Sequence, residues 1–328
     1  MSKLPRVVVT DLIPEPLECE RRVLNGHADV IALDIKHQAE LDGQLDNADA
    51  VMIYHYLRLG REQIERLRQC KVIVRPGVGY DNIDITAARE RGIPVCNVPD
   101  YGTEEVADSA LGMALTLARG THFLNSRLRR GVGAWNVDQA APIQRLRGRV
   151  FGIVGCGRIG AAAALRAKAF GFDVVIYDPP LRDGVEKTLG VRRVDSLEAL
   201  LRQSHILSLH CPLTPQTRNM IGAAELALLP AGAIIVNTAR GGVVDTAAVV
   251  ASLANGQLTG AGIDVLEQEP PPEDSPVLRA WRDPAHDRLL LNPHTAFYCE
   301  QGCEEFRTKG ALEVLRALQG QPLRNQVN

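Results

Sequence analysis

Short apolar runs alternate with amphipathic stretches along this chain, and their lengths are those of strands and helices. In the first hundred residues the runs are Val7 to Val9, Val30 to Leu33, Ala50 to Tyr54, Val72 to Val74 and Ile93 to Val95. Gly60 to Arg68 reads as a helix between them, and so does Ile85 to Arg91, which stops at Gly92 before Pro94. Beyond residue 150 the runs end at Gly155, Asp178, His210, Asn237, Asp264 and Asn292, with helices such as Ser196 to Gln203 in the gaps. Strands in regular alternation with helices predict an α/β fold: two Rossmann-like or flavodoxin-like parallel-sheet domains with an active-site cleft between them. Ligands of open parallel sheets sit at the carboxyl ends of the strands, so the residues that follow each run are where chemistry is sought.

The run Val150 to Val154 is followed by Gly155, Gly157 and Gly160 in G-x-G-x-x-G spacing, and then by helix-forming Ala161 to Phe170. Strand, tight turn and helix in that order predict a dinucleotide site. The first glycine permits the turn, the second lets backbone approach a pyrophosphate, the third lets the helix pack on the strand, and the helix N-terminus offers free N–H groups to phosphate. A second apolar run, Val174 to Tyr177, ends in Asp178, 18 positions beyond Gly160. An acid about 20 residues on meets the adenosine ribose hydroxyls. It would repel a 2′-phosphate, which favours NAD over NADP.

Later strand ends run at once into polar or glycine-rich sequence: Cys211-Pro212-Leu213-Thr214, Thr238-Ala239-Arg240-Gly241-Gly242, Val265 through Glu269-Pro270, and Pro293-His294-Thr295. Arg240, Glu269 and His294, far apart in sequence, are expected to converge there beside the dinucleotide. In the first half the ends carry Tyr54-His55 and Arg75-Pro76-Gly77-Val78-Gly79, where backbone N–H groups and a fork-shaped cation suit a carboxylate.

Asn97-Val98-Pro99-Asp100 reads as a crossing point, since proline fixes the backbone, and Glu104 to Arg129 as one long helix. The broad apolar face of that helix, with Ala107, Leu111, Ala114, Leu115 and Ala118, is expected to lie partly at a subunit interface. Gly131 to Arg149, with Trp135, reads as a loop arm whose Arg145, Arg147 and Arg149 form a solvated face. The last helix, Glu300 to Leu318, ended by Gly320 and Pro322, is expected to return to the first domain, with paired hinges near residues 97–99 and 294–298. The boundaries expected are a discontinuous substrate-binding domain, 1–100 with 298–328, and a nucleotide-binding domain, 101–297, with its dimerisation helix and arm near 104–149.

Composition narrows the classes. With 328 residues, 45% hydrophobic and 23% charged, the chain is long enough for two cores, which seldom exceed about 250–300 residues each. A net charge of −2 gives no electrostatic footprint for nucleic acid or an anionic membrane. The N-terminus shows no signal-like apolar core and no run approaches about 18 apolar residues, so a cytoplasmic protein without membrane contact is expected. Seven cysteines lack C-x-x-C spacing; Cys70, Cys96, Cys156 and Cys211 adjoin apolar runs as buried thiols do. Cys299 and Cys303, one helical turn apart near His294, make an incomplete ligand set, and no metal is expected.

Five motifs taken together, Arg75-Pro-Gly-Val-Gly-Tyr-Asp-Asn-Ile-Asp84, Gly155-Cys-Gly-Arg-Ile-Gly160, Asn237-Thr-Ala-Arg-Gly-Gly242, Asp264-Val-Leu-Glu-Gln-Glu-Pro270 and Pro293-His-Thr-Ala-Phe-Tyr-Cys-Glu-Gln301, resemble the D-isomer-specific 2-hydroxyacid dehydrogenase family in order and along nearly the whole chain. Tyr54-His55, Cys96 to Pro99, Ala167 to Phe172, Tyr177 to Pro179 and Phe297 to Gln301 look most like its C-terminal-binding-protein branch, which includes dimeric corepressors that keep the dehydrogenase fold and NAD site. Pro76 departs from that branch, which has an aliphatic residue there, and Phe297 replaces its tryptophan.

The resemblance implies a catalytic trio of Arg240, Glu269 and His294. It implies NAD contacts at Gly155, Gly157, Arg158, Ile159, Gly160, Tyr177, Asp178, His210, Cys211, Pro212, Thr217, Thr238, Ala239, Arg240, Asp264, which would hold the nicotinamide amide, and His294. Substrate contacts fall at Tyr54, His55, Arg75, Gly77, Val78, Gly79, Arg240 and Phe297. In ketoacid reduction an imidazolium at His294 is the natural proton donor near neutral pH, a carboxylate at Glu269 holds the ring, and Arg240 clamps the substrate carboxylate. The expected protein is a homodimeric NAD-dependent oxidoreductase of a small 2-hydroxy or 2-keto acid, D-specific. Glyoxylate or hydroxypyruvate reduction and 3-phosphoglycerate oxidation are variants of this reading. Its rival is a dimeric NAD-sensing module that captures a peptide, as the corepressors do; that the sequence stops at Asn328, without their long tail, favours the enzyme.

Overall fold

The computed structural model describes residues 3–328. The chain folds into two compact units, one from the residues up to Gly102 together with Tyr298–Asn328, the other from Thr103–Phe297. In the first, strands β1 (Arg6–Val9), β2 (Asp29–Ala32), β3 (Ala50–Met52), β4 (Val72–Arg75) and β5 (Val95–Asn97) form a five-stranded sheet in the order β2-β1-β3-β4-β5. Every pair is parallel, so all the carboxyl ends lie along one edge. This 2-1-3-4-5 order is that of flavodoxin-like sheets. Val7, Val8 and Val9 are all fully buried, because helices cover both faces, and that is why the strands read as continuous apolar runs rather than alternating ones. The helix Glu300–Leu318 belongs to this unit and packs against the helix Glu18–Leu24, where Arg307 makes a two-pronged ion pair with the fully buried Glu20 at 2.8 and 2.6 Å.

The second unit holds a seven-stranded parallel sheet: β6 (Val150–Val154), β7 (Asp173–Tyr177), β8 (Arg192–Arg193), β9 (Ile206–Leu209), β10 (Ala233–Asn237), β11 (Leu258–Ile263) and β12 (Leu289–Leu291), in the order β12-β11-β10-β9-β6-β7-β8. The chain enters in the middle at β6, runs outward to β8, and crosses back to β9, so the strand order reverses between β6 and β9. That is the Rossmann arrangement, and its reversal point is where a crevice opens for ligand. Alternate residues of β9 and β10 face opposite cores: Leu207, Leu209 and Ile235 on one side, Ile206, Ile234 and Val236 on the other against the helix Thr103–Arg119.

The expected long helix from Glu104 to Arg129 is two helices, Thr103–Arg119 and Thr121–Arg129. The break is at Gly120, whose φ of +71° is left-handed, and a side chain there would strike the Phe123 ring at 2.5 Å. The strand expected at Ile93 to Val95 lies two residues later, and the edge strand β8, two arginines long, carries no apolar signal at all. The stretch 131–149 has one short turn of 3-10 helix, Val137–Ala140, and no strand. No helix among the described residues is long and apolar enough to cross a membrane.

Candidate active site

At the end of β6 the three glycines do separable work. A Cβ on Gly155, whose φ is +86°, would lie 2.7 Å from the Cys211 nitrogen, and one on Gly160 would lie 2.0 Å from the Gly155 oxygen. The chain's own packing therefore requires both. Nothing lies within 4 Å of the corresponding point on Gly157, which stands at the N-terminus of the helix Arg158–Ala169. That open approach to helix N–H groups, with Arg158 and Ile159 in the first turn, is the shape a pyrophosphate fills. Asp178, just past β7 and Tyr177, folds back so that Oδ2 accepts the Cys156 N–H at 2.7 Å, which ties the acid to the glycine turn.

The neighbouring strand ends are polar and enclosed. His210 follows β9; its Nε2 meets the Ser208 hydroxyl at 2.9 Å, while Nδ1 is shut off from solvent with no hydrogen-bond partner among the described residues. Burial pushes the imidazole down from 6.5 to about 4, so the ring is neutral at physiological pH. Burial likewise raises the Cys211 thiol to about 11, and it is protonated. Thr238, after β10, has a buried hydroxyl that is also unpartnered. Two orphaned polar atoms side by side at the strand ends fit a polar ligand laid along this edge.

Asn237, wholly buried, closes the next turn by accepting the Ala239 N–H at 3.0 Å and donating to the Arg240 carbonyl at 2.9 Å. Arg240 Nη1 donates to the Ala239 carbonyl at 2.8 Å. A Cβ on Gly241 would sit 1.9 Å from the Leu266 carbonyl carbon, so this loop lies directly on the loop that carries Glu269. Glu269 Oε1 accepts the Leu266 N–H at 2.7 Å and Oε2 meets His294 Nδ1 at 2.7 Å. His294 has a left-handed φ of +54°, costly for a residue with a Cβ, and the surroundings hold it there. Its N–H donates to the Asp264 carbonyl at 2.8 Å, and the Asp264 carboxylate accepts the N–H groups of Thr295 at 2.9 Å and Ala296 at 3.0 Å. Burial holds the Asp264 carboxyl above its ordinary range, with those two N–H groups pulling the other way. The Phe297 ring meets the His294 ring edge to face, centroids 6.0 Å apart.

One edge thus carries a glycine turn with an acid tied to it, an arginine, and a histidine whose Nδ1 is held by a carboxylate. Residues 111–296 match the family model for the D-isomer specific 2-hydroxyacid dehydrogenase NAD binding domain. The chain belongs to that family. It is 36% identical over 308 residues to C-terminal-binding protein 1 of Caenorhabditis elegans, covering 92% of this chain and 42% of that protein. It is 35% identical over 322 residues to the D-3-phosphoglycerate dehydrogenase of Methanocaldococcus jannaschii, covering 98% of this chain and 60% of that one. The chain therefore spans about half the length of these relatives. Among solved structures it resembles D-lactate dehydrogenase from Aquifex aeolicus complexed with NAD and lactic acid, at 27% identity and a TM-score of 0.85, covering 96% of each chain.

In the first unit the strand-end loops differ in part from expectation. Tyr54 offers nothing to a substrate: it is buried, and its hydroxyl donates to Glu20 at 3.1 Å, so its expected contact is withdrawn in favour of core packing. The Gly77 N–H donates to the Arg75 carbonyl at 2.7 Å and is spent within the loop. The Arg75 guanidinium folds back over Gly77, its Nη1 at the place a Cβ would take, and donates to the Pro76 carbonyl at 3.4 Å. Gly77 thus serves the arginine rather than a ligand. The N–H groups of Val78 and Gly79 have no acceptor among the described residues. The Thr217 hydroxyl donates to the Pro212 carbonyl at 2.6 Å and accepts the Thr214 N–H at 2.8 Å, closing a turn after β9.

Three residues that hold strand-end loops in place were not singled out from the sequence: Asn237, Gly241 as a point of backbone contact, and Asp11, whose carboxylate accepts the N–H groups of Tyr54, His55 and Tyr56. Each acts on backbone. The available signals were a buried-type amide ending an apolar strand and an acid directly after the run Val7 to Thr10.

Proposed function

We propose that this family member interconverts a small 2-keto acid and the corresponding D-2-hydroxy acid with NAD(H), the trio Arg240, Glu269 and His294 acting in the roles the family resemblance implies. The observation that carries the reading is the 2.7 Å contact of His294 Nδ1 with Glu269 on the edge that also bears the glycine turn. The pyrophosphate is assigned to the N–H groups at Gly157 and the first turn after it, the adenosine ribose to Asp178, and the remaining polar surface to Thr238 and His210. NADH, when bound, supplies the hydride that a ketone carbon accepts. His294 then gives the carbonyl oxygen the proton carried on Nε2, because Nδ1 is committed to Glu269. Glu269, itself fixed by the Leu266 N–H, keeps the ring in that orientation and offsets its positive charge. Arg240, its loop set by Asn237, orients the substrate's carboxylate through a guanidinium fork. The N–H groups of Val78 and Gly79 are donors of the kind that receive a carboxylate.

The reading is tested by a screen of pyruvate, glyoxylate and hydroxypyruvate with NADH. At least one should be reduced to the D-isomer. His294→Ala should bind NADH as before and lose about 10²–10⁴-fold in turnover, the usual worth of a general acid; unchanged turnover removes His294 from the chemistry. The similarity to C-terminal-binding protein 1 supports a second reading, a dimeric NAD-dependent binding module, and absence of turnover on every keto acid would select it.

A further inference from the structure

We propose that Asp11 is a positioning residue for the His55 loop, a carboxylate built into the protein to occupy an anion nest. Asp11 stands directly after β1 and is fully buried. Its Oδ1 accepts the Tyr54 N–H at 2.9 Å and the Thr10 hydroxyl at 2.6 Å; its Oδ2 accepts the N–H groups of His55 at 2.8 Å and Tyr56 at 2.6 Å. Three successive backbone N–H groups converging on one point make the concave donor set that elsewhere binds a free anion. Here the chain supplies the anion itself.

No cation pairs with Asp11 among the described residues, so these four donors are what offsets burying a charge. The turn that follows is strained in keeping with this. Leu12 has a left-handed φ of +67°, and the Ile13 N–H donates back to the Asp11 carbonyl at 2.8 Å, so the chain leaves β1 abruptly and the carboxylate stays facing the end of β3. Tyr54 is fixed a second time through its hydroxyl on Glu20. The backbone on both sides of His55 is therefore clamped, and the half-buried imidazole takes its place from the loop rather than from its own rotamer alone. The proposal rests on the reading of His55 as a substrate contact.

The test uses the full chain and three variants. Asp11→Asn keeps the volume but replaces one acceptor by a donor, which leaves at least one of the three N–H groups without a partner. Glu313→Gln is the control: an equally buried carboxylate of the same unit that serves only Arg316 and the Arg324 N–H. His55→Ala reports on the underlying reading. With glyoxylate and pyruvate as probes, Asp11→Asn should raise KM about 10-fold or more, since misplacement on the ångström scale costs up to about 100-fold, while NADH affinity stays within about twofold. Glu313→Gln should lower the melting temperature without moving KM. If Asp11→Asn leaves KM unchanged while His55→Ala raises it, the positioning role is overturned and the His55 reading stands. A KM unmoved by His55→Ala overturns that reading instead. Equal KM effects of Asp11→Asn and Glu313→Gln reduce Asp11 to a structural residue and also overturn the proposal. Should Asp11→Asn not fold, Thr10→Val, which removes one donor of the four, carries the test with the same sign and a smaller change.

Discussion

The enclosed imidazole of His210 ties the cofactor edge to the pH dependence of the fold. Its folded value of about 4 lies below the ordinary 6.5, so between these limits the unfolded chain binds a proton that the folded chain does not. Stability from this group is complete above about pH 6.5 and is lost as pH falls toward 4. Asp264, shifted upward by burial, contributes with the opposite sign at the acid end, so the His210 contribution is best isolated by difference. Urea unfolding of the wild type should weaken from about pH 7 to about pH 5 more than that of His210→Asn; parallel profiles would mean that the ring titrates normally. The placing of Arg240, Glu269 and His294 on strand-end loops was legible because each follows an apolar strand run. Asp11 and Asn237 were not, since each uses its side chain to hold backbone, and no spacing rule announces which N–H groups a buried acceptor will find. Tyr54 was misread for a related reason: with both sheet faces buried, a residue at a strand end carries no sign of which way it points.

Between strands and helices the glycines carry the tightest tolerances. Gly160→Ala would drive a methyl group to within 2.0 Å of the Gly155 oxygen, and backbone cannot yield there without displacing the turn. Expected are loss of NADH binding, read by fluorescence titration, and a lowered melting temperature. Gly157→Ala makes the discriminating partner, because its Cβ meets only open space: it should fold normally and still weaken NADH binding. Full NADH affinity in Gly157→Ala would dissociate the turn from the pyrophosphate. The strand–turn–helix unit was readable in advance from its apolar run and glycine spacing. The break at Gly120 was not, since a single glycine is tolerated in many helices and only the Phe123 ring beside it shows that the chain must turn there. Nor was β8, whose two arginines pair with β7 through backbone and through the ion pair of Arg192 with Asp173 at 2.6 Å, with no apolar residue to announce a strand.

At the scale of the whole molecule the two sheets follow from the alternation of runs, whereas the assembly state depends on surface that a sequence pattern does not display. The arm after the helix Thr121–Arg129, expected from the sequence to take part in dimerisation, is the candidate for that surface. Trp135 is 90% exposed and Val137 82%, with Leu128 and Val132 each nearly half exposed beside them. A tryptophan so placed on a single chain leaves a large apolar area in water, and such patches mark interaction sites. The charges nearby do not argue for a nucleic acid, because Arg127 and Arg130 share Asp287 at 2.7 and 3.6 Å and the chain as a whole carries a net charge of −2. A second copy of the chain is the occupant the family resemblance implies. Light scattering should give a mass of twice the 35.7 kDa chain. Truncating an interfacial tryptophan costs about 2 kcal/mol or more, so Trp135→Ala should weaken the dimer about 30-fold, enough to reveal monomer on dilution. A monomeric wild type, or a Trp135→Ala dimer as tight as the parent, would move the interface off the arm and return it to the apolar face of the helix Thr103–Arg119.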